Sequence, residues 1–390
     1  MNTITKTIKL YDADAYSTEF EASVLSCKKT DDGYAVVLDK TLFFPEEGGQ
    51  SCDIGTIDGF PTKKVEIKNG IIIHFLTEPL QEGNTVFGKI DFAHRYRNMQ
   101  HHSGEHIVSG LVCKTFGYTN VGFHLGKTDM TMDYDGDLSA LDIRVIEDAA
   151  NVAIYRNIEI IANYPDSETL KILDYRSKLD LAQDVRIVTI GKYDVCACCA
   201  PHVARTGEIG IIKIVDFYRY KGGTRLHAIC GSDALKDYAE KHDITKCLNA
   251  LLSTNTESIA DSVKNLQAEV SRLSSAVTAV TKKYCLAIAD GVPQAYEGYV
   301  MFDEQLGAGG MRVIANALAQ KRGWCAVFDR TGKDAYNFII ASEKVSAKSV
   351  LALLCEKVSA RGGGSDRMVQ GSAGATESEI RKALDNISLS

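Results

Sequence analysis

Residues 57–75 read Ile57-Asp58-Gly59-Phe60-Pro61-Thr62-Lys63-Lys64-Val65-Glu66-Ile67-Lys68-Asn69-Gly70-Ile71-Ile72-Ile73-His74-Phe75. The dipeptides Asp58-Gly59 and Asn69-Gly70 bracket runs rich in Val, Ile and Phe, the sequence form of a tight hairpin. Asp32-Gly33 repeats the signal upstream, and similar short runs extend from residue 21 to about 92. This text predicts a small β-barrel or sandwich over residues 1–92.

Downstream the period changes. A helical pattern runs from His94 to Phe116, followed by mixed strand and helix text that includes a β-rich run at 208–217, so residues 93–240 read as an α+β domain. Ile259, Val263, Leu266, Val270, Leu273, Val277 and Val280 then recur at alternating spacings of 4 and 3. That is a heptad seam, and it makes residues 241–288 a coiled-coil or helical-hairpin spacer, or else an amphipathic helix lying on its own domain. Short strands at 299–302, 324–328 and 337–340 alternate with helical runs over 289–390, a small α/β domain ending in the glycine-rich stretch Arg361-Gly362-Gly363-Gly364-Ser365-Asp366. The expected fold class is α+β, multidomain.

Bulk composition narrows the function. At 390 residues and 45% hydrophobic content the chain supports several cores. It has no apolar run of membrane-spanning length and no secretion signal, so no membrane partner and a cytoplasmic location are expected. Its 11 cysteines are scattered apart from Cys196, Cys198 and Cys199, which favours reduced thiols or metal ligands over a disulfide framework. Residues 286–390 carry 12 basic and 12 acidic side chains, so the net charge of −7 lies entirely in residues 1–285, with 32 basic against 39 acidic. A chain so charged is not coated for non-specific nucleic-acid binding, and any RNA contact must be a local patch.

Two motifs carry metal chemistry. His102 and His106, in Met99-Gln100-His101-His102-Ser103-Gly104-Glu105-His106, are four apart and share a helix face. Cys198 and His202, in Cys196-Ala197-Cys198-Cys199-Ala200-Pro201-His202, repeat that spacing across what reads as a turn. Sulfur and imidazole suit zinc, and the four together make a tetrahedral set, with His101, Cys196 and Cys199 as substitutes for single ligands. Four protein ligands usually close a site, which leaves the role of Zn2+ open between activating water and holding the substrate. His102-Ser103-Gly104-Glu105-His106 also fits the H-x-x-E-H pattern of inverted zinc peptidases, with Glu105 as general base. Such an enzyme has no use for Cys198 and His202. A solvated helix-surface glutamate is the plain alternative for Glu105.

Phe43-Phe44-Pro45-Glu46-Glu47-Gly48-Gly49-Gln50 is a proline-led turn whose glycines let backbone N–H groups and the Gln50 amide approach a ligand. Basic and aromatic residues interleave in His94-Arg95-Tyr96-Arg97 and in Phe217-Tyr218-Arg219-Tyr220-Lys221-Gly222-Gly223-Thr224-Arg225, which suits phosphate contact and base stacking, or a solvated strand edge.

The order of these elements resembles the editing half of alanyl-tRNA synthetase and its free-standing AlaX-type relatives. The resemblance spans residues 38 to 235: Leu38-Asp39-Lys40-Thr41 with the turn ending at Gln50, Asp53-x-Gly55, Arg97-Asn98 leading to His102-x3-His106, Cys198-x3-His202-Val203, Thr206-Gly207-Glu208-Ile209-Gly210, and residues 225–231. It implies a translation-protein-type barrel, an editing domain holding zinc through His102, His106, Cys198 and His202, and an amino-acid pocket lined by Thr41, Gly48, Gly49 and Gln50, with Gln50 and Glu105 as catalytic candidates. Glu47-Gly48-Gly49 replaces the usual three glycines, and Cys199-Ala200-Pro201 the usual Gly-Gly-Thr, so the pocket's shape is this chain's own. The glycine-rich stretch resembles the C-terminal domain shared with DHH-type phosphoesterases, without a DHH catalytic motif. That likeness implies tRNA engagement or dimer contacts for Gly362, Gly363 and Gly364, which join Arg97, Arg219, Lys221 and Arg225 of the basic and aromatic stretches as candidate tRNA contacts. The kinship brings an ATP- and nucleotide-binding label with it, while an adenylate-forming domain ahead of the barrel is not expected. The implied activity is deacylation in trans of alanine tRNA mischarged with serine, or glycine. The implied partner is the acceptor end of that tRNA, with a homodimer through the heptad helix or the last domain as a further candidate.

Overall fold

A computed structural model describes residues 6–177, 185–294, 298–385 and 387. The chain forms two compact units, Met1–Thr245 and Lys246–Ser390.

The first unit opens with six antiparallel strands that close into a barrel: β1 (Glu19–Thr30), β2 (Gly33–Leu38), β3 (Gly55–Ile57), β4 (Phe60–Lys68), β5 (Ile71–Leu76) and β6 (Thr85–Ile90), in the spatial order β1-β2-β5-β4-β3-β6 and back to β1. Period-2 alternation does the sorting. In β6, Val86, Gly88 and Ile90 point inward while Thr85, Phe87 and Lys89 face out. The turn dipeptides act as expected, with φ values of 49° and 80° at Asp58-Gly59 and 52° and 80° at Asn69-Gly70. Phe20, Val36, Leu38, Phe43, Phe44, Ile57 and Ile72 fill the interior.

The rest of the first unit is built around one helix, α1 (Phe92–Phe116). Asp91 caps it by accepting the His94 N–H at 3.1 Å, so it starts two residues before the sequence pattern suggests, and Gly117, at φ 74°, ends it. Every residue from 98 to 110 is buried. A four-stranded sheet of β7 (Asn120–Leu125), β8 (Met130–Tyr134), β12 (Ile212–Tyr220) and β13 (Gly223–Cys230), ordered β12-β13-β8-β7, packs against α1. Helix α2 (Ala140–Tyr155) and a three-stranded sheet of β9 (Ile160–Asn163), β10 (Ile187–Ile190) and β11 (Asp194–Ala197) complete the enclosure. The β-rich text at 208–217 is corrected at its start: Thr206–Ile209 is a 3-10 turn, ended by Gly210 at φ 80°, and the strand begins at Ile212. Helix α3 (Gly231–Leu252) leads out of this unit.

The second unit holds α4 (Ile259–Gly291) and a five-stranded sheet of β14 (Tyr299–Asp303), β15 (Trp324–Gly332), β16 (Ala335–Ser342), β17 (Ser359–Gly364) and β18 (Met368–Gly374), ordered β14-β15-β16-β18-β17, with helices α5 (Gly307–Arg322), α6 (Ala347–Lys357) and α7 (Glu377–Leu384). Only Cys285 and Ala289 of α4 are buried, where it meets α5. The heptad residues Val263 to Val280 stay 39% to 66% exposed, so this stripe does not lie on its own domain. No described helix is long and apolar enough to cross a membrane.

Candidate metal centre

The site begins with helix geometry. His102 and His106 stand one turn apart on α1, their rings stacked with centroids 5.5 Å apart. Cys198 and His202 come from the irregular stretch after β11, which Arg186 clasps by donating to the carbonyls of Cys198 (3.1 Å) and Ala200 (2.8 Å). The His202 ring centroid lies 5.0 Å from that of His102 and 4.7 Å from that of His106. One donor atom from each of the four residues falls within 4.8 Å of the others.

Each imidazole is held from behind. His102 Nδ1 meets Gln50 Oε1 at 2.8 Å, His106 Nδ1 meets Asp194 Oδ2 at 2.8 Å, and His202 Nδ1 meets Ser103 Oγ at 3.0 Å. The amide oxygen and the carboxylate accept, so the Nδ1 atoms of His102 and His106 carry protons and their Nε2 lone pairs face inward. Cys198 Sγ lies 3.5 Å from His102 Nε2 and 3.4 Å from His202 Nε2. Tetrahedral zinc sets its nitrogen and sulfur ligands about 3.5 Å apart, so the donor set fits the ion. Burial, helped by Cys199, pushes the Cys198 thiol well above its usual range, and burial with the neighbouring His106 and His102 pushes His202 well below its own. Without a cation the pocket therefore favours a neutral thiol and neutral imidazole.

The glycine turn reaches this centre from the barrel. Gly48 and Gly49 sit at φ 64° and 81°, and the Gly49 carbonyl accepts the Leu125 N–H at 2.8 Å. A Cβ on Gly49 would lie 2.3 Å from the Phe123 carbonyl oxygen. Gly49→Ala is expected to lower stability by about 1–3 kcal/mol, measured by denaturant unfolding, and to shift Phe123, whose ring centroid is 4.8 Å from that of His102. Gln50 is 1% exposed; its Oε1 is taken by His102, while its Nε2 is buried with no hydrogen-bond partner. Thr41 is fully buried, its hydroxyl 2.9 Å from His74 Nε2 and accepting the Phe43 N–H at 3.1 Å.

Glu105 is not a solvated surface residue. It is 5% exposed, its Oε1 accepts from Ser109 Oγ at 2.6 Å and Asn120 Nδ2 at 2.7 Å, and its Oε2 lies 3.9 Å from His106 Nε2. The side chain stays inside because α1 is enclosed on every side. His101, a substitute ligand by sequence, is committed elsewhere: its Nδ1 faces the Arg97 carbonyl at 2.9 Å and its Nε2 accepts the Cys230 N–H at 3.2 Å.

The basic candidates divide. Arg95 is buried in an ion pair with Asp53, and Arg97 donates to Asp233 (2.6 Å) and to the carbonyls of Gly126 (3.2 Å) and Lys127 (3.0 Å), so both are struts within the fold. At the β12–β13 hairpin end, Arg219 pairs with Asp137, Lys221 lies over the Tyr220 ring at 5.1 Å, and Arg225 stacks on the same ring at 3.8 Å while bonding Asp133. Arg225 stands five positions before Cys230, which touches His101 on the ligand helix, so roughly 17 Å of strand separates the two. Gly362, Gly363 and Gly364 belong to β17 of the second unit. A Cβ on Gly362 would fall 2.6 Å from the Gln370 carbonyl oxygen, whereas Gly363 is open.

Sequence reasoning missed the supports: Ser103, Asp194, Arg176, Arg186 and Asn120. One signal was available, since period 2 along β11 puts Asp194 and Cys196 on one face with Cys198 next in line. Asp194, Cys196 and His106 form a second cluster of donor atoms, sharing His106 with the first.

Residues 185–227 match the family model described as the threonyl and alanyl tRNA synthetase second additional domain. The chain is 29% identical to the alanyl-tRNA editing protein Aarsd1 of Danio rerio, covering 92% of each. It is 26% identical to the alanyl-tRNA editing protein AlaX-L of Pyrococcus horikoshii, over 95% of this chain and 96% of that one. It is also 30% identical to an alanine–tRNA ligase of Ignicoccus hospitalis, over 71% of this chain but about a third (32%) of the ligase's length. None of these matches supports an ATP-binding label. With full-length matches to editing proteins, partial matches to the ligase and a synthetase-type domain around Cys198 and His202, the chain is similar along nearly its whole length to the AlaX-type alanyl-tRNA editing proteins.

Proposed function

We propose that this protein hydrolyses the ester joining a wrongly attached amino acid to alanine tRNA, in a zinc-dependent reaction with serine as the main amino acid removed and glycine as a second. The observation that carries this reading is the donor set of His102, His106, Cys198 and His202, gathered within 4.8 Å and joined through Gln50 to the glycine turn of the barrel. A zinc ion held there supplies, when bound, Lewis acidity beside the scissile ester.

The chain's own groups do the rest. Because Gln50 Oε1 is taken by His102, its amide N–H groups are the free end, placed to donate to an oxygen of the aminoacyl group. A substrate hydroxyl read by buried polar groups separates serine from alanine far better than a methyl-sized pocket could. Glu105 receives the proton of the attacking water, its carboxylate oriented by Ser109 and Asn120. Arg219, Lys221 and Arg225 contact the phosphate backbone near the acceptor end, with Tyr220 as a stacking surface. The inverted-peptidase reading would leave Cys198 and His202 without a purpose in the cluster they share with His102 and His106.

The test is release of serine, glycine and alanine from alanine tRNA charged with each, using protein of measured zinc content before and after chelation. Serine release, with alanine spared, should fall on metal removal and return when zinc is restored. Zinc-loaded protein that binds the tRNA but releases no amino acid would instead make this a binding module with a structural metal.

A further inference from the structure

Behind the His106 ring lies a support unlike those of the other two histidines. His102 rests on a neutral amide and His202 on a hydroxyl, whereas His106 rests on the carboxylate of Asp194, which is 1% exposed. Both oxygens of that carboxylate are spoken for. Arg176 Nε donates to Oδ1 at 2.7 Å and Arg176 Nη2 to Oδ2 at 2.8 Å, the latter oxygen also accepting from His106 Nδ1. Against the desolvation of burial, the bonds from His106 and Arg176 hold the Asp194 carboxyl below its ordinary range.

Arg176 also grips the other arm of the ligand set. Its backbone N–H donates to the Val195 carbonyl and its carbonyl accepts the Ala197 N–H, both at 2.9 Å, so it bridges β11 opposite Cys196 like a short extra strand, one residue short of where the chain leaves β11 for Cys198. One residue thus ties, by its main chain, the segment that carries Cys198 and, through Asp194, the helix that carries His106.

We propose that Arg176 and Asp194 form a positioning pair that sets the geometry of the metal centre, fixing the His106 ring plane and the placement of Cys198 together. The planar guanidinium fork permits one carboxylate orientation, and a carboxylate held in one plane holds the imidazole that donates to it. The pair has a second effect. Asp194, Cys196 and His106 could by themselves gather around a cation, and the fork keeps the carboxylate facing the arginine and out of the coordination sphere. A buried ion pair adds little net stability; its value here is geometric. This inference rests on the zinc reading of the site.

The experiment uses the full chain and measures zinc affinity by competition with a chromogenic chelator, together with the visible absorption of the cobalt(II)-substituted protein. Asp194→Asn retains shape and an acceptor for His106 but loses the charge that orders the fork. It should weaken zinc binding roughly 10- to 100-fold and alter the cobalt bands, which report ligand geometry and which a purely structural role would leave alone. Arg176→Lys keeps the charge and loses the fork, and should move both readouts in the same direction by less. It also carries the test if the asparagine variant does not fold. Folded variants with wild-type zinc affinity and an unchanged cobalt spectrum would overturn the proposal. Wild-type protein that binds zinc tightly yet deacylates no tRNA would sink the hydrolase reading while leaving this pair in place.

Discussion

Alanine at His202 is expected to eliminate stoichiometric zinc binding and to lower serine release from alanine tRNA about a thousandfold. The magnitude follows from what the ion contributes: metal-assisted hydrolysis owes several kcal/mol of transition-state stabilisation to the cation, and each 1.4 kcal/mol or so is a factor of ten. His202 is the ligand whose loss is most informative. It is 5% exposed and sits against the rings of both His102 and His106. Its removal also frees Ser103 Oγ, which would keep only the Val203 N–H at 3.3 Å. Because His202 lies outside α1, the helix and its packing remain, and circular dichroism should be close to wild type. Zinc content by atomic emission and single-turnover deacylation are the two readouts. A variant that loses zinc but deacylates at the wild-type rate would remove the metal from the chemistry.

Much of this architecture could be read before the structure, and what could not has physical causes. Asp58-Gly59 and Asn69-Gly70 are local signals, since their left-handed backbone is a property of those residues, and the hairpins followed. His102 and His106 were legible because i, i+4 spacing on a helix fixes a common face whatever surrounds it, whereas Cys198 and His202, on an irregular stretch, were legible by residue type and spacing alone. Burial was not. Residues 98–110 include Asn98, Gln100, Ser103 and Glu105, text that looks solvated, and yet all are buried because β7, β13, α2 and β11 enclose α1 from different parts of the chain. Long-range partners were invisible for the same reason: Arg176 and Asp194 are 18 residues apart, and Asp194 and His106 are 88 apart. The misplaced strand start at 208 shows the converse, where Gly207 and Gly210 outweighed the apolar residues between and beyond them. The heptad stripe lies along the single helix α4 with its apolar residues exposed, and a sequence pattern does not name what covers it.

Glu105→Gln should lower the rate of serine release by about 10²- to 10⁴-fold, the usual contribution of a positioned general base, with zinc content and tRNA affinity held. Glutamine is the informative replacement because its carbonyl can still accept from Ser109 Oγ and Asn120 Nδ2, which at 2.6 and 2.7 Å define the side chain's position. What changes is the other end, where an N–H group would replace the oxygen now 3.9 Å from His106 Nε2. That oxygen is near enough to a ligand nitrogen to reach a water at the centre, and near enough that the carboxylate could instead serve only as a prop for His106. The two roles separate in measurement. A base lost from the reaction lowers turnover per bound zinc in single-turnover assays and leaves metal affinity alone, whereas a prop removed weakens zinc binding and leaves turnover per bound zinc unchanged. Restoration of the rate by a small exogenous carboxylate in a Glu105→Ala background, where truncation leaves room beside Ser109, would point to proton transfer. The absence of rescue, combined with weakened zinc binding, would assign Glu105 to the scaffold of the metal site.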